Sequence, residues 1–162
     1  MAMTLPAAAL PSTAAVSPDE VAARFASLLA TFDFEEEFQI LALGRFQRAK
    51  RKTARRELRA LYIALWQLAL ERSFPIDYVA IAQTFLERLH ENISLTPEDL
   101  AFLLRRVDVY VTLVAASKSD NFLGIADDFL TSATMLSTSK DLRLKVSLHL
   151  RKVFTFIFNN LI

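Results

Sequence analysis

The sequence predicts an all-α fold, a compact bundle of about five or six helices behind a disordered N-terminal tail. Three observations carry that expectation. The chain has only two glycines, Gly44 and Gly124, in 162 residues. Glycine supplies the positive φ angles of tight hairpins, phosphate-cradling loops and nucleophile elbows, so a chain nearly without it is built from helices and short caps. Apolar residues recur every three or four positions along most of its length, the period of an amphipathic helix. Two segments, Ser17-Pro18-Asp19-Glu20 and Thr96-Pro97-Glu98-Asp99, carry the capping residue, leading proline and early acids that open helices.

Taken in order, residues 1–16 form an uncharged tail rich in Ala, Pro, Ser and Thr. A signal peptide would need a basic start and an unbroken apolar stretch. No Lys or Arg precedes Arg24, and Pro6 and Pro11 interrupt the run. Residues 17–162 read as a single all-helical domain. Ser17 caps the first helix, Glu20 completes a capping box, and Val21, Phe25, Leu28, Leu29 and Phe32 supply its apolar face. The acidic stretch Asp33–Glu37 is a junction or a new helix start. A long helical pattern then runs from about Glu36 to Arg72, with a possible break near Gly44 and a stripe of Leu58, Leu61, Leu65 and Leu68. Pro75 disfavours helix at Phe74 and ends it.

The next helix spans about Ile76–Glu91, with Val79, Ile81, Ala82, Phe85, Leu86 and Leu89 inward. Thr96 opens another, carried by Leu100, Leu103, Leu104, Val107, Val111 and Val114. A helix from about Asn121 to Leu136 follows. Between Leu142 and Leu150 apolar residues alternate like a strand, yet Leu142, Val146, Leu150, Val153 and Ile157 also make a helical stripe. With no convincing partner strand, a helix with apolar residues on two faces is expected. No fixed-period repeat is present.

Composition narrows function by exclusion. There is no cysteine, so disulfides, thiolate metal sites and cysteine nucleophiles are excluded. The longest apolar candidates, Ala60–Leu70 and Phe129–Ser139, stop at eleven residues, far short of the ~20 that cross a bilayer. Apolar residues make up 53% of the chain, and mean hydropathy is +0.29. That surplus points to a homo-oligomer or an obligate partner, the alternative being a large, well-packed core. Net charge is only +1, too little for a global field.

Charge is nonetheless concentrated. Arg45, Arg48, Lys50, Arg51, Lys52, Arg55, Arg56 and Arg59 face a single acid, Glu57, a local balance of +7 that leaves −6 for the rest. At helical pitch Arg45, Arg48, Lys52, Arg55, Arg56 and Arg59 fall within an arc of about 100°, opposite Leu58, Leu61 and Leu65. These six are the candidate site for a polyanion or an acidic partner. The competing reading is a face paired internally with Glu35, Glu36, Glu37 or Asp127-Asp128. The stretch Lys50-Arg51-Lys52-Thr53-Ala54-Arg55-Arg56-Glu57-Leu58-Arg59-Ala60-Leu61-Tyr62 resembles the Arg-rich first helix of NusB-type antitermination factors, which are all-helical RNA-binding proteins. The likeness covers only these residues. In that family the motif opens the chain, the family's later helices have no counterpart here, and no site residue is carried over.

Other groups carry less. Glu87-x-x-His90 is half of a di-iron bundle motif without its second half, and His90 reads better as a polar helix-end residue. Asp127 and Asp128 are adjacent on a helix and point apart, a poor geometry for paired-acid catalysis. No metal, cofactor or catalytic residue is assigned. The apolar C-terminus offers Phe154, Phe156, Phe158, Leu161 and Ile162 as candidate interface residues. The resulting expectation is a non-enzymatic, cytoplasmic protein-interaction module, an adaptor or regulatory protein that self-associates. The alternative is an RNA- or DNA-binding protein that uses the basic helix at 45–59.

Overall fold

In the computed structural model, residues 16–92, 95–117, 121–134 and 139–162 are described. They form seven helices and no strand: α1 (Pro18–Thr31), α2 (Glu35–Ile40), α3 (Arg48–Ser73), α4 (Tyr78–Asn92), α5 (Pro97–Ala116), α6 (Leu123–Thr134) and α7 (Lys140–Asn159). The all-α expectation holds. The expected tail lies almost wholly outside the described residues. The alternating segment from Leu142 to Leu150 is helical, inside α7.

Helix starts follow local chemistry, with one correction. Thr96 Oγ1 accepts the Asp99 N–H at 3.1 Å, and Ser139 Oγ accepts the Leu142 N–H at 3.1 Å. Ser17 makes no side-chain cap. Its carbonyl instead accepts the N–H groups of Glu20 and Val21, so the expected capping box does not form.

The count exceeds six because the long helix expected from Glu36 is two helices. The Leu43 N–H bonds back to the Phe38 carbonyl and the Ala42 N–H to that of Gln39, the paired closure of a Schellman motif. Leu43 and Phe38 are both buried, which supplies the apolar contact of that motif. The left-handed residue it requires is Ala42, φ 54°, and not the nearby Gly44. For a residue with a Cβ that conformation costs about 1–2 kcal/mol. Ala42→Gly is therefore expected to stabilise the protein by about 1 kcal/mol in denaturant melts, after allowing for the greater freedom of glycine in the unfolded chain.

α3 is the central element. From Leu58 to Trp66 it is buried on nearly every side, apart from Arg59. A helix apolar all round needs neighbours all round, and α1, α4, α5, α6 and α7 all pack on it. Trp66 anchors the α1–α4 side. It stacks on Phe25 at 4.4 Å and 4°, with Phe85 tilted at 4.8 Å. On α4, Ile81, Phe85 and Leu89 are buried as expected, but Val79 is exposed. It precedes Ile81 by two residues, about 200° around the helix, and so lies on the far face. α7 is apolar on two faces: Val146, Leu150, Val153 and Ile157 are buried while Leu144 and Leu148 face out. The first turns of α3 extend past this core, and there the basic residues begin.

Candidate functional site

The most extensive helix pair is α3 with α5, and its outer edge is a groove. Lys52, Arg55, Arg56 and Arg59 line one wall. Leu95, Asp99, Phe102 and Leu103 line the other, enclosing about 420 Å³. The spacing 52, 55, 56, 59 is one helical face, which is why α3 presents these four together. Arg48, the first residue of α3, lies one turn before Lys52. Arg45 is not on the helix. It sits in the turn ahead of α3, because the Schellman closure ends α2 and the helix restarts only at Arg48.

Most of these basic residues have no counter-ion among the described residues. Arg56 pairs with Asp99 at 3.4 Å, and its guanidinium covers the Phe102 ring at 3.9 Å. Arg51 reaches Glu35 at 3.5 Å and donates from Nε and Nη2 to the Leu43 carbonyl at 3.2 and 2.9 Å, so it braces the preceding loop. Arg45, Arg48, Lys50, Lys52, Arg55 and Arg59 make no ion pair among the described residues. Arg59 is half-buried. Burial, and then the charge of Arg55, depress its pKa, the signature of a cation without a balancing anion.

The acids that could have neutralised the stripe are engaged elsewhere. Glu36 holds Lys152 at 2.9 Å. Asp127 holds Arg143 at 2.8 Å, and Asp128 holds Arg106 at 2.6 Å. The two aspartates thus point apart, as their adjacency predicts. Glu57, the one acid within the basic stretch, faces the core and accepts from Arg106 Nε at 2.8 Å and Tyr110 Oη at 2.7 Å. The groove therefore keeps its positive charge.

Glu37 is the other buried acid, and no sequence pattern marks its role. Its Oε1 accepts the Tyr62 hydroxyl, and His149 Nε2 lies 2.9 Å from the same oxygen. Burial pushes the Glu37 carboxyl up, but the hydrogen bonds to His149 and Tyr62 hold it below its ordinary value. The cluster ties α2 to α3 and α7. Phe34, buried at φ 63°, starts α2 and so sets the position of Glu37.

Of the C-terminal candidates, Phe154 and Leu161 are buried in the chain's own core. Phe156, Phe158 and Ile162 remain exposed. Glu87 accepts from Gln83 Nε2 at 3.0 Å, while the side chain of His90 lies outside the described residues. Among the described residues no three His, Asp or Glu side chains gather as a metal site, and no helix is long and apolar enough to cross a membrane.

Sequence reasoning also missed Phe46. It is 95% exposed, between Arg45 and Arg48. An aromatic inside a run of cations is the signal that could have marked it. Comparison with known proteins gives no match: no family model, curated protein or solved structure is similar to this chain.

Proposed function

We propose that the protein is a non-enzymatic helical interaction module, a cytoplasmic adaptor or regulator, and that it docks an anionic partner in the groove between α3 and α5. The observation that supports this reading best is Arg59. It is held half-buried beside Arg55 with no carboxylate among the described residues to balance it. A bound anion would remove that cost, so binding and folding would reinforce each other. Self-association belongs to the same proposal, with Phe156, Phe158 and Ile162 as the exposed seam and light scattering as its measure.

Titration with labelled polyanions at low salt tests the docking site. Binding should weaken steadily as salt rises. Arg55→Ala and Arg59→Ala should each weaken it by roughly 10- to 150-fold, since a hydrogen bond to a charged group is worth roughly 1.5–3 kcal/mol. A saturating polyanion should also raise the Tm. Equal binding by both variants, or no binding by the wild type, would overturn the proposal.

A further inference from the structure

Resting on the groove as the docking site, we infer that its partner is a single-stranded nucleic acid, with Phe46 as the platform on which a base stacks. The chain builds a fixed turn to display this ring. The Gly44 carbonyl accepts the Gln47 N–H at 3.1 Å, and the Gly44 N–H donates to Gln47 Oε1 at 2.9 Å. These two bonds close a turn with Arg45 and Phe46 at its corners. Arg51 clamps the residue before it through the Leu43 carbonyl. Phe46 is thus held out in water on a braced turn, with cations on either side, while the other phenylalanines beside it in sequence, Phe34 and Phe38, are buried.

Cations that follow a backbone, together with an aromatic ring that meets bases, make up the usual apparatus for binding single strands. From this turn the unpaired cations continue along α3 as Arg48, Lys52, Arg55 and Arg59, one helical face that leads into the groove. There Leu95 and Phe102, whose ring already carries the Arg56 guanidinium, give the groove an apolar side.

Other anionic partners fit less of this surface. A duplex keeps its bases stacked inside and offers Phe46 no free ring face. An acidic protein offers a ring only where an aromatic side chain falls, whereas a single strand brings a base with every phosphate. An anionic bilayer could take up Phe46, but it is too flat to reach Arg59, half-buried in a concave groove.

Fluorescence anisotropy on the full chain tests the assignment. The probe is a labelled oligothymidylate or oligouridylate of about twelve nucleotides, within the span of single-strand sites. The competitors are the matching duplex, poly-L-glutamate, and vesicles of phosphatidylcholine and phosphatidylserine. Phe46 touches no core residue, so Phe46→Ala should melt like the wild type. It should bind the single strand roughly 5- to 150-fold more weakly, the loss of one stacked base. Its poly-L-glutamate binding should be unchanged, and Phe46→Trp should bind the single strand like the wild type. With Arg45, Arg48, Lys52, Arg55 and Arg59 on phosphates, the log–log salt slope should be about −3.5. If duplex, poly-L-glutamate or vesicles bind as tightly as the single strand, or if Phe46→Ala binds it undiminished, this inference falls and the anionic docking site stands. If no polyanion binds at low salt, both fall.

Discussion

Arg106→Met is expected to destabilise the protein by about 3–5 kcal/mol, because it strands a buried carboxylate. In a chain of this size that lowers the Tm by roughly 6–20 °C. Arg106 holds three helices together. Its Nε donates to Glu57 Oε2 on α3 at 2.8 Å, and its Nη2 donates to Asp128 Oδ2 and Ser132 Oγ on α6 at 2.6 and 3.1 Å. Its guanidinium lies over the Tyr110 ring at 4.7 Å. Burial alone would lower the Arg106 pKa, yet the hydrogen bonds to Asp128, Tyr110 and Glu57 raise it above the ordinary arginine value. Glu57 is only 3% exposed. Without the arginine it keeps a single hydrogen bond, from Tyr110, and a charge with no solvent to screen it.

The same reasoning predicts what rescues the variant. Glu57→Leu combined with Arg106→Met removes both buried charges, and such pairs can be replaced by apolar groups at little or no cost. The double variant should regain most of the lost stability. Chemical denaturation gives both values. An Arg106→Met protein as stable as the wild type, or a double variant no better than the single, would show that the network does not hold α5 and α6 on α3. Because α3 and α5 also form the two walls of the groove, the buried pair sets where those walls stand.

The helices are legible where local chemistry decides them. Thr96 caps through its side chain as its sequence context predicts, and the Pro75 stop falls beside the observed end of α3. The spacing of Lys52, Arg55, Arg56 and Arg59 is likewise a local property, so the basic wall of the groove can be read from the sequence. Its other wall cannot. Leu95, Asp99 and Phe102 come from a segment far along the chain, and no periodicity in α3 points to them. The charge count in the basic stretch also misleads, because it treats Glu57 as a surface acid when the residue turns inward to Arg106 and Tyr110. The C-terminal run from Phe154 to Ile162 is apolar at most positions, so composition cannot divide it. Only the docking of α7 decides that Phe154 and Leu161 are buried while Phe156 and Phe158 are not. At the α2–α3 break, Gly44 draws attention as the flexible residue, yet the left-handed position belongs to Ala42.

Raising the pH above about 10 is expected to unfold the protein steeply, because two tyrosines must stay protonated in the folded state. Tyr62 is buried and its hydroxyl donates to Glu37. Burial, followed by the charge and hydrogen bond of Glu37, pushes its pKa well above the ordinary value. Tyr110 is also buried and donates to Glu57 at 2.7 Å. Burial and the Glu57 charge raise its pKa strongly, although Arg106 opposes them in part. In the unfolded chain both hydroxyls ionise near pH 10. Between that pH and the higher folded values the unfolded state binds fewer protons than the native state, so stability falls as pH rises. Each tyrosine contributes close to a tenfold change in the folding equilibrium per pH unit, and the two together approach a hundredfold. Below about pH 9 neither contributes a slope. Lysines titrate in the same range, so the decisive comparison is with Tyr62→Phe and Tyr110→Phe. Each variant is less stable at neutral pH, since Glu37 or Glu57 loses a donor, but each should show a shallower alkaline limb, and the double variant should lose most of it. Urea melts at a series of pH values from about 8 to 11.5 measure this directly. A wild-type protein with a flat profile, or a double variant as steep as the wild type, would place the two hydroxyls outside the pH-dependent part of folding.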